Sequence, residues 1–365
     1  MAAPSMSAAR LDRDCDRARK VQPDRFAGFD FLRAIFAAMV VMLHANLFVV
    51  LTGKLGLKPV ADVLNANIGY LAVPVFFQIA LFLFFLRSEQ EGRTYFVKKR
   101  LPRLVALYLF WSIAKLIFDF VLAGKVPKVE YGLSSTGNFV SFIISGGYSP
   151  FYFFFSLIFL TAVAEILTPI FNQLKEKLLK RILYYLLLVS CILVISFPII
   201  DSVISQDREV LTQIQNPLSF LPYVFTAAIA VQDFKGGKLR KPRGILKLKL
   251  WILLILFLTF TVLEWYFFER FPQYSRLSLI FGSWLLLYLA LLSNQKPPRI
   301  ITFLAGCSLG IYGLHTFFTD HTYFLESLSE FIPGAGPLAR FLVALLGSFV
   351  LTLAFKRIRI LRGFV

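Results

Sequence analysis

The chain has 365 residues, of which 58% are hydrophobic and 16% charged, and 41 of them are phenylalanine. A soluble protein of this length carries more charge and fewer apolar residues, so the composition excludes an ordinary soluble domain. The apolar runs are long and continuous, which excludes an outer-membrane barrel with its short alternating segments. We therefore predict an all-α polytopic membrane protein embedded in a lipid bilayer.

The net charge is +18. In a soluble protein this charge would suggest nucleic-acid binding, but no nucleic-acid motif accompanies it, and we predict no nucleic-acid partner. The basic residues fit the positive-inside rule instead, which places Lys and Arg in cytoplasmic loops. The three cysteines, Cys15, Cys191 and Cys307, have neither metal-ligand spacing nor the pattern of a disulfide framework, so no metal site is predicted.

Ten apolar runs, separated by charged or Pro/Gly segments, predict about ten transmembrane helices. With the N-terminus inside, most of the 39 Lys and Arg residues fall in loops on the inner side. Both termini are therefore predicted to be cytoplasmic, and the location to be the inner or plasma membrane. The predicted organisation is a cytoplasmic arm at 1–28, a helical domain at 29–356 and a basic cytoplasmic tail at 357–365. The runs lie at 29–51, 69–87, 102–122, 149–171, 182–200, 217–233, 249–268, 275–293, 300–319 and 336–356.

The first run carries three ionisable residues, Asp30, Arg33 and His44, inside an apolar sequence. Such residues are costly in a membrane and are therefore candidates for function. At about 100° and about 1.5 Å per residue, His44 lies on the same helix face as Arg33 and about 16 Å deeper. Asp30 precedes Arg33 by three residues, which places it near that face as well.

Each of these residues has a catalytic and a structural interpretation. His44 either acts on a hydroxyl as a general base or nucleophile, or only forms hydrogen bonds between helices. Arg33 either holds a phosphate or carbonyl oxygen that arrives from the cytoplasm, oriented by Asp30, or only reaches the lipid headgroups. The residues by themselves leave both interpretations open.

Four further polar residues lie in or beside later runs. Lys115 and Glu165 are predicted to pair across helices, or else Glu165 lines a cavity. Glu264 stands in an aromatic sequence and is predicted to mark the outer aromatic belt. His321 is predicted to be a solvated residue of an outer loop.

Several segments resemble, in order, the motifs of a known family. FDFLRAIFAAMVVMLH (29–44) closely resembles the first helix of the acyltransferase family 3 membrane proteins, which acylate sugars of cell-surface polysaccharides and glycolipids. In that helix an acidic residue is followed by an Arg and, after ten further residues, by a His. Asp30, Arg33 and His44 match these three positions. SLGIYGLHTFF (308–318) strongly resembles the family's late motif, S-x-G-I-Y-L-L-H. Weaker resemblances lie between, in VPVFFQIALFLFF (73–85), YFVKKRLPRLVALYLFW (95–111) and SPFYFFFSLIFL (149–160).

The resemblance implies about ten helices and the transfer of an acyl group from acyl-CoA, on the cytoplasmic side, to a glycan or glycolipid acceptor. No bound cofactor is implied, because acyl-CoA is the donor substrate. By resemblance His44 is the catalytic residue, Arg33 handles the donor, and Asp30 is the leading acid.

The resemblance also implies substrate-binding roles for later residues. Arg100 and Arg103 match the arginines of the family's basic loop, where they could meet the phosphates of CoA; ordinary positive-inside charge is the alternative. Tyr312 and His315 match the late motif, and His315 either lines the same cavity or braces helices.

The chain departs from the family pattern at three places. Ala80 and Leu81 stand where the second helix of the family has Ser-Gly, Gly313 stands where Leu is common, and Pro102 precedes the second arginine of the loop instead of following it. Leu81 is the most consequential departure, because its side chain could fill a space that glycine leaves open. This leaves open an altered acceptor or a catalytically silent relative.

The sequence thus favours a membrane O-acyltransferase that moves an acyl group, most simply acetyl, to a glycan hydroxyl. The alternative is a transporter or flippase for a glycan or lipid-linked substrate, which ten spans and several buried ionisable residues would also suit. The lack of an inverted repeat argues against the transporter. The acyl group, the acceptor and the oligomeric state are not determined by the sequence.

Overall fold

The computed structural model of the protein describes residues 26–49, 58–92, 94–124, 135–144, 146–204, 211–213, 215–237, 239, 244–267 and 272–365. Most of the predicted N-terminal arm, residues 1–25, lies outside the described residues. The described part is mainly helical and contains no strand, which confirms the predicted all-α class.

Ten helices of 14 residues or more account for most of the described chain, and one lies at each predicted run. We number them α1 (Ala27–His44), α2 (Ala72–Glu91), α3 (Leu101–Ile117), α4 (Tyr152–Gln173), α5 (Glu176–Ile204), α6 (Pro222–Lys235), α7 (Gly244–Phe267), α8 (Leu277–Leu292), α9 (Arg299–Thr319) and α10 (Ala335–Arg357). Within the described ranges, eight of these, alone or with a short helical extension, are long and apolar enough to cross a membrane. The other two, α6 and α8, have 14 and 16 residues.

These helices make the protein a multi-pass membrane protein, whereas its orientation stays a prediction. Below, the inner side is the side at which α1 begins, and the outer side is the side at which α1 ends.

Helix α1 lies at the centre of the bundle, packed along α9 and also against α2 and α8. At its inner end a Cβ on Gly28 would lie 2.0 Å from the carbonyl oxygen of Ala290 in α8, so only glycine fits there. Small residues allow such close helix contacts inside a membrane. The second half of α9, from Gly310 to Phe317, is buried throughout. This packing brings the polar residues of α1 and α9 together inside the bundle.

Helix α7 lies at the edge of the bundle and exposes large apolar side chains, among them Trp251 and Leu258. Glu264 on the same helix points inward instead and is buried. Its carboxylate accepts hydrogen bonds from the backbone N–H of Ser278, at 2.9 Å, and from the Ser278 hydroxyl. It thus satisfies a backbone donor in the first turn of α8. The adjacent Trp265 and Tyr266 are exposed, and an aromatic belt at this position stays a prediction.

Candidate active site

A cavity of about 430 Å³ lies among α1, α2, α3, α4 and α9. The directions of the helices place arginines at its inner end and aromatic rings at its deep, outer end. Between the two ends its walls are aliphatic. The lining includes Arg33, Arg87, Arg100 and Arg103 at the mouth, Ile79, Leu83, Leu104, Leu107 and Leu157 along the walls, and Phe76, Phe153, Phe154 and Tyr312 at the deep end.

The four arginines of the mouth come from α1, from α2, which carries Arg87, and from the helical segment that continues as α3. Arg33 lies on α1, Arg100 ends the π-helical turn that leads into α3, and Arg103 follows on α3. Arg100 is half-buried, and its Nε has no hydrogen-bond acceptor within the described part of the chain. A guanidinium matches the geometry of phosphate, and a cluster of like charges at a cleft attracts anions. The mouth is therefore suited to a ligand that carries several phosphates.

Aromatic rings close the deep end of the cavity. The Phe153 ring centroid lies 5.1 Å from that of Tyr312 and 6.3 Å from that of Phe76. The Tyr312 hydroxyl donates a hydrogen bond to the backbone carbonyl of Pro150 at 2.7 Å, which ties α9 to the start of α4. An apolar wall of this kind keeps water away from the groups behind it.

His44, the last residue of α1, lies beyond this wall. It is half-buried and is not among the residues that line the cavity. His315 on α9 connects the wall to it, since the His315 ring centroid lies 5.8 Å from that of Tyr312 and 4.8 Å from that of His44. Tyr312 and His315 therefore link the deep end of the cavity to His44.

Two residues with predicted site roles lie away from the cavity lining. Asp30 is buried near the start of α1, and its role beside Arg33 stays a prediction. Glu165 on α4 accepts a hydrogen bond from the Ser88 hydroxyl on α2 at 3.2 Å and so links two helices. Glu165 does not line this cavity, and a substrate-binding role for it stays a prediction.

The structure shows where Ala80 and Leu81, the second-helix departure, lie relative to the cavity. Ala80 lines the cavity, whereas Leu81 is fully buried and is not part of the lining. Leu81 therefore does not fill the cavity, and the space beside Ala80 remains open to a ligand.

A charged cluster that the sequence did not predict lies at the outer ends of α3 and α9. The buried ammonium of Lys115 lies 2.7 Å from the Asp119 carboxylate and 3.1 Å from that of Asp320. The Tyr148 hydroxyl donates a hydrogen bond to Asp320 at 2.6 Å, and the Nε2 of His321 lies 2.9 Å from Asp119. Two carboxylates around one ammonium offset the cost of burying its charge.

This cluster corrects two predictions. Lys115 pairs with Asp119 and Asp320 and not with Glu165, and His321 lies within hydrogen-bond distance of Asp119 rather than being a solvated loop residue. The spacing of four residues between Lys115 and Asp119 was a usable signal in the sequence, because such pairs meet on one helix face. The contact with Asp320 had no such signal.

The chain has only three histidines, His44, His315 and His321, and all three lie at this outer end. His44 is near enough to Asp320 for the two to interact electrostatically, so the cluster borders the candidate catalytic residue. Among the described residues, no group of three or more His, Cys, Asp or Glu side chains could hold a metal ion.

Comparison with known families decides the class of the protein. The family model of the acyltransferase domain, acyltransferase family 3, matches residues 26–357. The chain belongs to this acyltransferase family. The predicted resemblance is confirmed, and with its apolar helices the protein is a multi-pass membrane acyltransferase. Neither a curated protein nor a solved structure matches the chain significantly.

In this acyltransferase one helix carries both ends of the candidate site. Arg33 lies at the charged mouth, and His44 ends the same helix behind the aromatic wall. At about 1.5 Å per residue the two lie about 16 Å apart along the axis of α1. The separation between Arg33 at the mouth and the candidate base His44 is thus determined by the spacing in the sequence.

Proposed function

We propose that this acyltransferase moves an acyl group, most simply acetyl, from acyl-CoA in the cytoplasm to a hydroxyl of a surface or lipid-linked glycan. It acts in the inner or plasma membrane. The observation that supports this most is the cavity, because it joins a mouth of four arginines to an aromatic end beside His44 and His315. Donor and acceptor then approach His44 from opposite sides of the membrane.

The shape of the cavity suits acyl-CoA. The phosphates of CoA bind Arg33, Arg100 and Arg103 at the mouth, where guanidinium groups form charge-assisted hydrogen bonds. The uncharged arm that carries the thioester extends along the aliphatic walls towards Tyr312. Movement of the Tyr312 side chain then admits the thioester to His44.

His44 supplies the base for transfer. It takes the proton of the acceptor hydroxyl, whose oxygen attacks the thioester carbonyl carbon. The carbon–sulfur bond breaks, and the thiolate of CoA takes the proton from His44. If His44 attacks first, an acyl-imidazole forms and the thiolate of CoA leaves. The acyl group then passes to the acceptor hydroxyl, whose proton goes to the thiolate, so the products are the same.

The glycan acceptor rests on the family resemblance. At the outer end, Asp320, which interacts electrostatically with His44 and accepts a hydrogen bond from Tyr148, provides a polar group that suits hydroxyl ligands. A transporter or flippase is the second candidate, and membership in an acyltransferase family argues against it. Cleavage of the acyl-CoA thioester separates the two, because a transporter does not need it.

The decisive experiment measures the transfer of labelled acetyl from acetyl-CoA in inverted membrane vesicles with crude surface glycan as acceptor. Wild type is compared at matched expression with His44→Ala and with Ile35→Ala, which truncates an exposed side chain of the same helix. We expect label in the glycan for wild type and Ile35→Ala only. Near-normal turnover by His44→Ala overturns the catalytic role of His44. No thioester cleavage by intact wild type with several acyl-CoAs overturns the acyltransferase proposal.

A further inference from the structure

The tautomer of His315 follows from one hydrogen bond. The ring is fully buried, and its Nδ1 lies 2.6 Å from the backbone carbonyl oxygen of Tyr312. A carbonyl oxygen only accepts hydrogen bonds, so Nδ1 must carry the proton. In the neutral ring, Nε2 then holds a lone pair and can only accept.

That lone pair has no partner in the described parts of the chain. A buried polar atom without a hydrogen bond is costly and calls for an explanation. Of the two rings beside His315, Tyr312 already uses its hydroxyl on Pro150, whereas His44 is closer, with ring centroids 4.8 Å apart and planes at 59°. The structure shows no hydrogen bond between the two rings, but His44 is the neighbouring ring whose nitrogen can donate to Nε2 after a rotation of its side chain.

Two charged residues flank the histidine pair, and they act on different rings. Asp320 acts electrostatically on His44, and Lys115 acts on His315. Lys115 and Asp320 also pair with each other. Asp320 thus favours a positive charge on His44, and Lys115 opposes one on His315.

We propose that His315 is a positioning residue for His44. Its Nε2 accepts a hydrogen bond from one ring nitrogen of His44, which directs the other nitrogen to the acceptor hydroxyl. This inference rests on the proposed function. During transfer the hydroxyl proton moves to the free nitrogen of His44, and Nε2 of His315 holds the resulting imidazolium in place until the proton passes to the CoA thiolate. The orienting carboxylate of a Ser-His-Asp triad does the same for its histidine.

The first test compares His315→Leu with His315→Gln, whose amide oxygen can still accept a hydrogen bond near the position of Nε2. Thr316→Val is the matched control, because Thr316 is the next residue, is equally buried and has a hydroxyl without a partner among the described residues. We expect His315→Leu to lower kcat about 10- to 100-fold, a part of the roughly 10²- to 10⁴-fold that a general base contributes. The KM for acyl-CoA stays unchanged, and His315→Gln recovers most of the loss. Wild-type kcat in His315→Leu, or equal losses in the Leu and Gln variants, overturns the inference.

The second test does not depend on activity. With three histidines in the chain, ¹⁵N-histidine labelling gives three sets of ring signals, which His44→Ala and His315→Leu assign. We expect His315 as the Nδ1–H tautomer and a changed His44 signal in His315→Leu. An Nε2–H tautomer at His315 overturns the inference. Failure of wild type to transfer any acyl group would instead overturn the proposed function, while the ring signals still decide the hydrogen bond.

Discussion

Gly313 lies directly against the indole of Trp111, so that a Cβ on Gly313 would lie 2.3 Å from a ring carbon. Trp111 is fully buried and also packs against Phe151 and Phe317. This contact explains why the chain has glycine where leucine is common in the late motif, since a larger residue would overlap the indole. It also determines how closely α3 approaches α9, two residues before His315.

Gly313→Ala is therefore expected to destabilise the protein. The added methyl overpacks a rigid contact, which costs about 1–3 kcal/mol, and the melting temperature in detergent falls. Adding Trp111→Phe to the Gly313→Ala variant makes room for the methyl and recovers part of the lost melting temperature. Gly306→Ala on the same helix is the control, because its Cβ meets only the Lys356 Nζ, at 3.7 Å. Equal melting temperatures for Gly313→Ala and Gly306→Ala would contradict this explanation.

Arg100→Gln is expected to weaken the binding of acyl-CoA. Loss of a hydrogen bond to a charged group costs about 1.5–3 kcal/mol, so the KM for acyl-CoA rises about 10- to 100-fold while kcat changes little. Lys99→Gln removes the same charge one residue earlier, from an exposed side chain that pairs with Glu91 and does not line the cavity. Steady-state kinetics of both variants measure the difference. The prediction fails if both raise the KM equally, because general positive charge then accounts for donor binding.

Lys115→Met is expected to lower stability strongly. It leaves the carboxylates of Asp119 and Asp320 close together without their ammonium, and removing one partner of a buried ion pair costs about 3–5 kcal/mol. Adding Asp119→Asn to the Lys115→Met variant removes one of the two negative charges and is expected to restore part of the lost melting temperature. A melting temperature for Lys115→Met equal to that of wild type would show that the cluster contributes little.

The orientation can be tested with single cysteines in a chain whose three native cysteines are replaced. Lys99 stands beside the arginine mouth, and Glu330 is exposed in the short helix Leu328–Phe331 beyond the outer end of α9. We expect an impermeant thiol reagent to label Lys99→Cys only from the cytoplasm and Glu330→Cys only from outside. Labelling of both from one side, or of each from the opposite side, would contradict the predicted orientation and the cytoplasmic donor.

The positions of the helices and part of the site could be read from the sequence, because both depend on local spacing. The ten predicted runs coincide with α1 to α10, and bilayer thickness accounts for the length of the eight that can span a membrane, whereas α6 and α8 are shorter. Helix geometry likewise sets the separation of Arg33 and His44, since the two residues share one helix. The pairing of Lys115 with Asp119 depends on the same local geometry.

Only the tertiary structure decided which distant residues meet. The contact of His44 with His315, that of Lys115 with Asp320, and the convergence of arginines from three segments on one cavity join parts of the chain that are far apart in sequence. Helical periodicity indicates which face of a helix is buried, but not which neighbour covers it or at what depth. Those choices depend on close packing among all the helices, in which a single glycine such as Gly313 sets the distance between two of them.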